Sequence, residues 1–283
     1  MRFGWWVVVA LGIGLGVVPA RAQEPPPQDC DRLAAAPADG FGRGVEFNEM
    51  DAAKATQACH DAVKAHPQSL RLKAHLARAL VKAGDFKQAR ALLEDAAAKG
   101  HAGAQGTLGS LYYSGVGVDR DFGRARALFE EAIKRDNAVA LNNLGVMYTF
   151  GHGVGKDEAK AVPLFEKAAA AGHPDALTNL GNMYEQGSGV ERDVRKAATL
   201  YEQAAQFGNA KGQLNLAQIY EAGGALAGGS IERAYFWYTL AARRGAGDVA
   251  AVALKGQRRI ETFLKPDDIV GLGHEVAAWK PKG

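Results

Sequence analysis

The sequence predicts an all-α chain, an α-solenoid of antiparallel helix pairs, on three observations. Leu108, Leu144, Leu180 and Leu216 recur every 36 residues, and Tyr112, Tyr148, Tyr184 and Tyr220 keep the same step. Ala89, Ala125, Ala161 and Ala197 repeat with that period on a second apolar stripe. Glycine or aspartate punctuates each unit between the stripes. A unit of this size cannot bury both stripes by itself and must stack on its neighbours, which is the logic of a solenoid.

Residues 1–22 read as an export signal. Arg2 precedes the apolar run Trp5–Val18, and Ala20-Arg21-Ala22 supplies small residues for a cut after Ala22. The alternative is an uncleaved membrane anchor, for which the run is short. Cleavage removes two of the 34 basic residues and none of the 31 acidic ones, leaving a net charge of +1. Such a chain has no general field for nucleic acid or anionic lipid. No second apolar run of membrane length follows, so the mature chain is expected to be periplasmic and without a membrane span.

An exported chain meets an oxidising compartment, where its two cysteines, Cys30 and Cys59, are expected to pair. Closing a loop of about 30 residues is worth roughly 3 to 4 kcal/mol by loop entropy. A metal site and two buried free thiols are the alternatives.

Gln23–Asp29, with Pro25-Pro26-Pro27, reads as an extended leader, and Cys30–Val45 as a coil held by the bridge, together the segment 23–50. A helix then runs from about Asp51 to His66 and stops at Pro67. Gln68–Gly100 forms a helix pair, completing a block over 51–100: Leu72, Leu76, Leu80 and Val81 stripe its first helix, Gly84-Asp85 makes the turn, and Phe86, Ala89, Leu92, Leu93 and Ala96 stripe its second.

Four longer units follow, 101–136, 137–172, 173–208 and 209–245. His101, Asn137, His173 and Asn209 stand where a cap should start helix A of each. Helix A carries Leu108-Gly109, Leu144-Gly145, Leu180-Gly181 and Leu216-Ala217. Glycine inside a helix costs about 1 kcal/mol, so its return on one face calls for close approach of a neighbour. The A helices end at Gly115-Val116-Gly117-Val118, Gly151-His152-Gly153-Val154 and Gly187-Ser188-Gly189-Val190, where the first glycine suits a left-handed cap and the last valine can fold back on the core. Asp121, Asp157 and Asp193 suit the start of helix B, whose inner face holds Phe129, Phe165 and Tyr201. The fourth unit replaces this loop by Gly223–Ser230 and gains one residue, so that Tyr238 falls 37 after Tyr201. Residues 246–283 supply two capping helices, from about Asp248 to Phe263 and from Lys265-Pro266 to about Trp279, the last closing the stack with Ile269, Leu272, Val276 and Trp279.

No motif for chemistry stands out. A helix precedes each Gly-x-Gly, whereas a dinucleotide cradle needs a strand before it. The seven histidines do not cluster with metal-ligand spacing, and no serine or cysteine has a nucleophile's companions. No catalytic residue, cofactor or metal is therefore expected.

The pattern Ala-x-x-x-Leu-Gly-x-x-Tyr, then Gly-x-Gly-Val-x-x-Asp, then Ala-x-x-x-aromatic-x-x-Ala-Ala-x-x-Gly resembles the Sel1-like repeat, a relative of the tetratricopeptide repeat, and Gln68–Gly100 resembles a tetratricopeptide unit. Departures are mild: Asp136 replaces a closing glycine, Ile133 an alanine, and the fourth loop has lost Gly-x-Gly-Val. The resemblance implies a right-handed superhelix with the A helices on its concave side and a protein or peptide ligand along that side. It puts Thr107, Asn143, Asn179 and Asn215 in the groove, flanked by Asn182, Glu185, Gln218 and Glu221, with Arg71, His75 and Arg78 as a basic head. The asparagines could instead hold the stack. The class implied is a non-enzymatic exported scaffold or adaptor, in envelope signalling or polysaccharide assembly; the alternative is an envelope hydrolase or a peptidoglycan- or sugar-binding protein with weak penicillin-binding-like activity. The oligomeric state is open, a monomer being the default.

Overall fold

The structure, a computed structural model, describes residues 29–35, 50–223 and 230–282. The expected export signal, most of the proline-rich leader, residues 36–49 of the expected segment 23–50 and residues 224–229 of the fourth loop lie outside them. Among the described residues the elements are helices: α1 (Asp29–Ala34), α2 (Ala52–Ala65), α3 (Leu70–Ala83), α4 (Phe86–Ala98), α5 (Ala102–Ser114), α6 (Phe122–Ile133) and α7 (Ala138–Phe150). They continue as α8 (Glu158–Ala170), α9 (Pro174–Gln186), α10 (Val194–Gln206), α11 (Ala210–Ala222), α12 (Ile231–Arg244), α13 (Asp248–Glu261) and α14 (Pro266–Ala278). From α1 to α13 each packs on the next, and α14 packs back on α12, giving a solenoid of helix pairs.

Each unit of the array is built by the same local devices. A polar side chain caps helix A: His101 Nδ1 accepts from the Ala104 amide, Asn137 from Ala140 and Asn209 from Gly212. His173 departs from the expectation. It stands at the cap position of α9 but makes no side-chain bond there, because Pro174 opens the helix and the Ala176 amide turns back to the His173 carbonyl. Gly115, Gly151, Gly187 and Gly223 close the A helices at φ of 73°, 74°, 74° and 68°, the left-handed cap. Asp121, Asp157 and Asp193 cap the B helices, each accepting from the amide three residues on.

The interior glycines have a steric reason. A Cβ on Gly109, Gly145 or Gly181 would lie 2.6, 2.7 or 2.5 Å from the ring of Phe129, Phe165 or Tyr201. The aromatic of helix B thus packs against the backbone of its own helix A, placing one of the largest fully buried side chains where only hydrogen fits. The second loop glycine joins units: a Cβ on Gly117 or Gly153 would strike Phe86 or Phe122, and one on Gly189 the backbone of Glu158, in each case at the start of the preceding helix B.

Successive A helices touch, α3 with α5, α5 with α7, α9 with α11 and α11 with α13, while the B helices α4, α6, α8 and α10 share no comparable contact. The A side is the one that the resemblance to tetratricopeptide arrays makes the concave face.

At the N-terminal end the structure corrects the expected coil. Asp29–Ala34 is a short helix with Asp29 and Asp31 in its first turn. Cys30 is joined to Cys59 of α2, with Cα atoms 4.5 Å apart. At the other end α14 lies against α12, burying Leu272 and Val276, and Trp279 packs edge-on to Trp237 at 6.2 Å and under Arg244 at 5.4 Å.

Candidate binding groove

The concave face is read from one stripe on each A helix, spaced three and four residues. On α5 the stripe is Gly103, Thr107, Ser110 and Ser114, all small. On α7 it is Val139, Asn143, Val146 and Phe150; on α9 Asp175, Asn179, Asn182 and Gln186; on α11 Lys211, Asn215, Gln218 and Ala222. The small stripe of α5 between bulkier neighbours leaves a cavity of about 630 Å³, lined from α3 by Arg78 and Val81, from α5 by Thr107, Ser110 and Ser114, and further along by Asn137, Asp175 and Asn209. A second hollow of about 760 Å³ lies against Glu185, Arg192 and Gln218.

Each asparagine of the expected ladder reaches back one unit. Asn143 Nδ2 donates to Ser110 Oγ at 2.8 Å, Asn179 Nδ2 to Asn142 Oδ1 at 2.9 Å and Asn215 Nδ2 to Asn182 Oδ1 at 3.0 Å. These bonds run between A helices, so the ladder ties the stack together. An amide carries two N–H groups and two lone pairs, so one bond of this kind leaves Asn179 and Asn215 capacity for a ligand. Thr107 differs: its hydroxyl donates to the Gly103 carbonyl of its own helix at 2.9 Å.

Asn182 and Glu185 are engaged by the core. The Tyr201 hydroxyl lies 2.6 Å from Asn182 Oδ1 and 2.7 Å from Glu185 Oε2, and burial followed by the Glu185 carboxylate pushes its pKa up. Glu221 accepts from the Tyr238 hydroxyl at 2.6 Å and from both sides of the Arg259 guanidinium at 2.7 and 2.6 Å. That guanidinium holds the Glu221 carboxyl below the usual range. Gln218 is exposed. The two glutamates are therefore anchored to tyrosines of the B helices, which the sequence pattern did not reveal.

Arg71, His75 and Arg78 of the expected basic head line the cavity over α5, but their charged ends are engaged within the protein. Arg71 and His75 are each 3 % exposed. Arg71 Nη1 donates to Asp31 Oδ1, and His75 Nδ1 lies 2.9 Å from the same oxygen. Arg78 Nη1 donates to the carbonyls of Ala34 and Ala35 at 2.8 and 3.0 Å. These side chains seat α1, since a charge taken out of water needs a partner and Asp31 supplies one. Asp31 went unnoticed because its sequence neighbourhood has no periodicity; the pairing is visible only once Cys30 is tied to α2.

The floor residues Ser110 and Ser114 were also missed. Their signal was available, as they share the helical stripe of Thr107. Among the described residues no three His, Cys, Asp or Glu side chains gather as a metal site, and no helix is long and apolar enough to cross a membrane.

Comparison with known proteins agrees with this geometry. The Sel1 repeat model matches residues 103–137, 138–173, 174–209 and 210–245, and a tetratricopeptide repeat model matches 48–108. A Sel1 repeat protein from Oxalobacter formigenes aligns at 24 % identity with a TM-score of 0.59, over 74 % of this chain and 97 % of that one. A putative Sel1 repeat protein from Klebsiella pneumoniae subsp. pneumoniae aligns at 21 % identity with a TM-score of 0.50, over 70 % of this chain and 96 % of that one. A search of curated proteins finds no match. Sel1 repeats generally act as scaffolds for protein–protein interaction and are typically non-catalytic. The four consecutive matches span half of the sequence, and the chain belongs to the Sel1 repeat family.

Proposed function

We propose that the protein is a non-enzymatic, exported scaffold that binds a protein or peptide segment along its concave face, centred on the cavity over α5. The observation that carries this reading is the small, polar floor of Thr107, Ser110 and Ser114 between bulkier walls, where an extended backbone can lie close to the helix. The second N–H and the Oδ1 of Asn179 and Asn215, with the exposed Gln218, continue a row of amide groups suited to peptide bonds. The flanking Asn182, Glu185 and Glu221 shape the wall through their tyrosine bonds. The cysteine bridge and the signal-like residues 1–22 support an address in the periplasm, with a role as adaptor in envelope signalling or polysaccharide assembly.

Photo-crosslinking amino acids placed at Thr107 and Ser110, with Lys167 on the convex α8 as control, test the proposal in the envelope of the native host. Mass spectrometry is expected to find one protein joined at the first two positions and not at the third. Recovery of glycan strands alone reverses the reading in favour of a sugar-binding protein.

A further inference from the structure

We propose that the hollow beside α11 is an acid-binding site on the rim of the groove, where Arg192 and Arg195 take the carboxylate of an aspartate or glutamate side chain of the bound segment; this rests on the reading of the concave face as a protein-binding one. The hollow, of about 760 Å³, is walled by the end of α9, the start of α10 and the last turns of α11. Gln218 and Ala222 belong both to its wall and to the concave stripe of α11, so it opens onto the groove.

Its polar groups can be accounted for one by one. Glu185 accepts from the Tyr201 hydroxyl on Oε2 and from Arg192 Nε on its backbone carbonyl, at 2.7 and 2.8 Å. Asp193 Oδ1 accepts from the Lys196 amide and caps α10. Both acids are thus held by donors of their own. The Gln218 amide is exposed and can donate or accept. Arg192 keeps both Nη groups and Arg195 its whole guanidinium, and among the described residues neither forms an ion pair. Two such forks lining one space suit a carboxylate, which they bind by paired, charge-assisted hydrogen bonds.

The neighbouring repeats show how the same loop cation is satisfied from within. Arg120, Lys156 and Arg192 stand one repeat step apart. Arg120 lies over the Phe122 ring at 5.9 Å and donates to the Ser114 carbonyl, and Lys156 pairs with Glu158 at 2.9 Å. The position of Phe122 and Glu158 is Val194 in the third unit, which offers neither a ring nor a carboxylate. The position of Gly123 and Ala159 is Arg195 there, a cation where the other two units have a small residue. Two exchanges in one unit therefore remove an internal acid and add a guanidinium beside the same space. Val194, Ile219 and Ala222 complete the hollow with aliphatic surface for the methylenes of an acidic side chain. The A helices continue on both sides, so the carboxylate comes from a segment passing through and not from a chain end.

The test is an NMR titration of the full mature chain at low ionic strength, reading the Nε–H signals of Arg192 and Arg195 and the Gln218 amide. The probes are N-acetyl-glutamic acid α-amide, N-acetyl-glutamine amide, N-acetylglycine and glucuronic acid. The glutamic acid probe is expected to move these signals saturably at millimolar concentration, and the glutamine probe to leave them. Arg195→Ala, which copies Ala159, is expected to weaken the glutamic acid probe roughly two- to fivefold. Val194→Glu, which copies Glu158 and hands Arg192 an internal partner, is expected to weaken it likewise. Full binding by either variant overturns the proposal, as does equal binding of the glutamine probe or saturable binding of none. Tighter binding of N-acetylglycine moves the site to a chain end and tighter binding of glucuronic acid to an acidic sugar, and either result overturns the side-chain assignment. A protein crosslinked at Ser110 in those cases leaves the groove reading intact and removes only this site.

Discussion

Glycine at 109, 145 and 181 and glycine at 271 look alike as residues inside helices, but the space around them differs. An alanine at 181 would put its Cβ 2.5 Å from the Tyr201 ring, whereas Gly271 has nothing within 4 Å. Gly181→Ala is expected to cost about 1 to 3 kcal/mol through overpacking, and Gly271→Ala to gain about 0.5 to 1 kcal/mol through helix propensity, both read by chemical denaturation. His173 makes a different prediction. Burial lowers its pKa from the ordinary 6.5, against an opposing pull from Asp175. Its Nδ1 is buried without a partner. A histidine with a depressed folded pKa takes its proton first in the unfolded chain, so the contribution of this site to stability falls as pH drops below about 6.5. His173→Asn, which copies Asn137 and Asn209, is expected to flatten the Tm profile between pH 7.5 and 5.5 relative to the native chain.

At the scale of the element, α1 and the asparagine ladder show what a linear reading reaches and what it does not. Periodicity revealed the helices of the array to within a residue or two, because each unit repeats its caps, glycines and aromatics and so states its own rule four times. The α1 segment occurs once and obeys no period; its place depends on Asp31 meeting Arg71, Arg78 meeting the Ala34 and Ala35 carbonyls, and the Cys30–Cys59 bond. Removing one partner from a buried ion pair costs about 3 kcal/mol or more, so Asp31→Ala is expected to lower Tm sharply while Asp29→Ala, on the exposed side of the same helix, leaves it unchanged. Likewise, the sequence showed three asparagines in register but could not say which way they pointed. With each bonded to the preceding A helix, the triple replacement of Asn143, Asn179 and Asn215 by alanine is expected to cost roughly 0.5 to 1.5 kcal/mol per bond. An unchanged Tm on calorimetry would contradict that tie.

Across the whole molecule, contact between neighbours alone makes the array quasi-linear, so its stability is a sum along the row. The two ends are anchored unequally. The first layers are joined by a covalent sulfur bridge and a buried ion pair, while the last layer is held by Leu272, Val276 and the Trp279 wedge and leaves Phe263 and Val270 in water. That asymmetry gives unravelling a direction. Amide protons of α14 and α13 should exchange before those of α9, and those of α2 and α3 last, so that a heated or stretched chain peels from its tail toward its cystine knot-point. Reduction of the bridge should abolish this one-way order, letting the molecule come apart from either extremity.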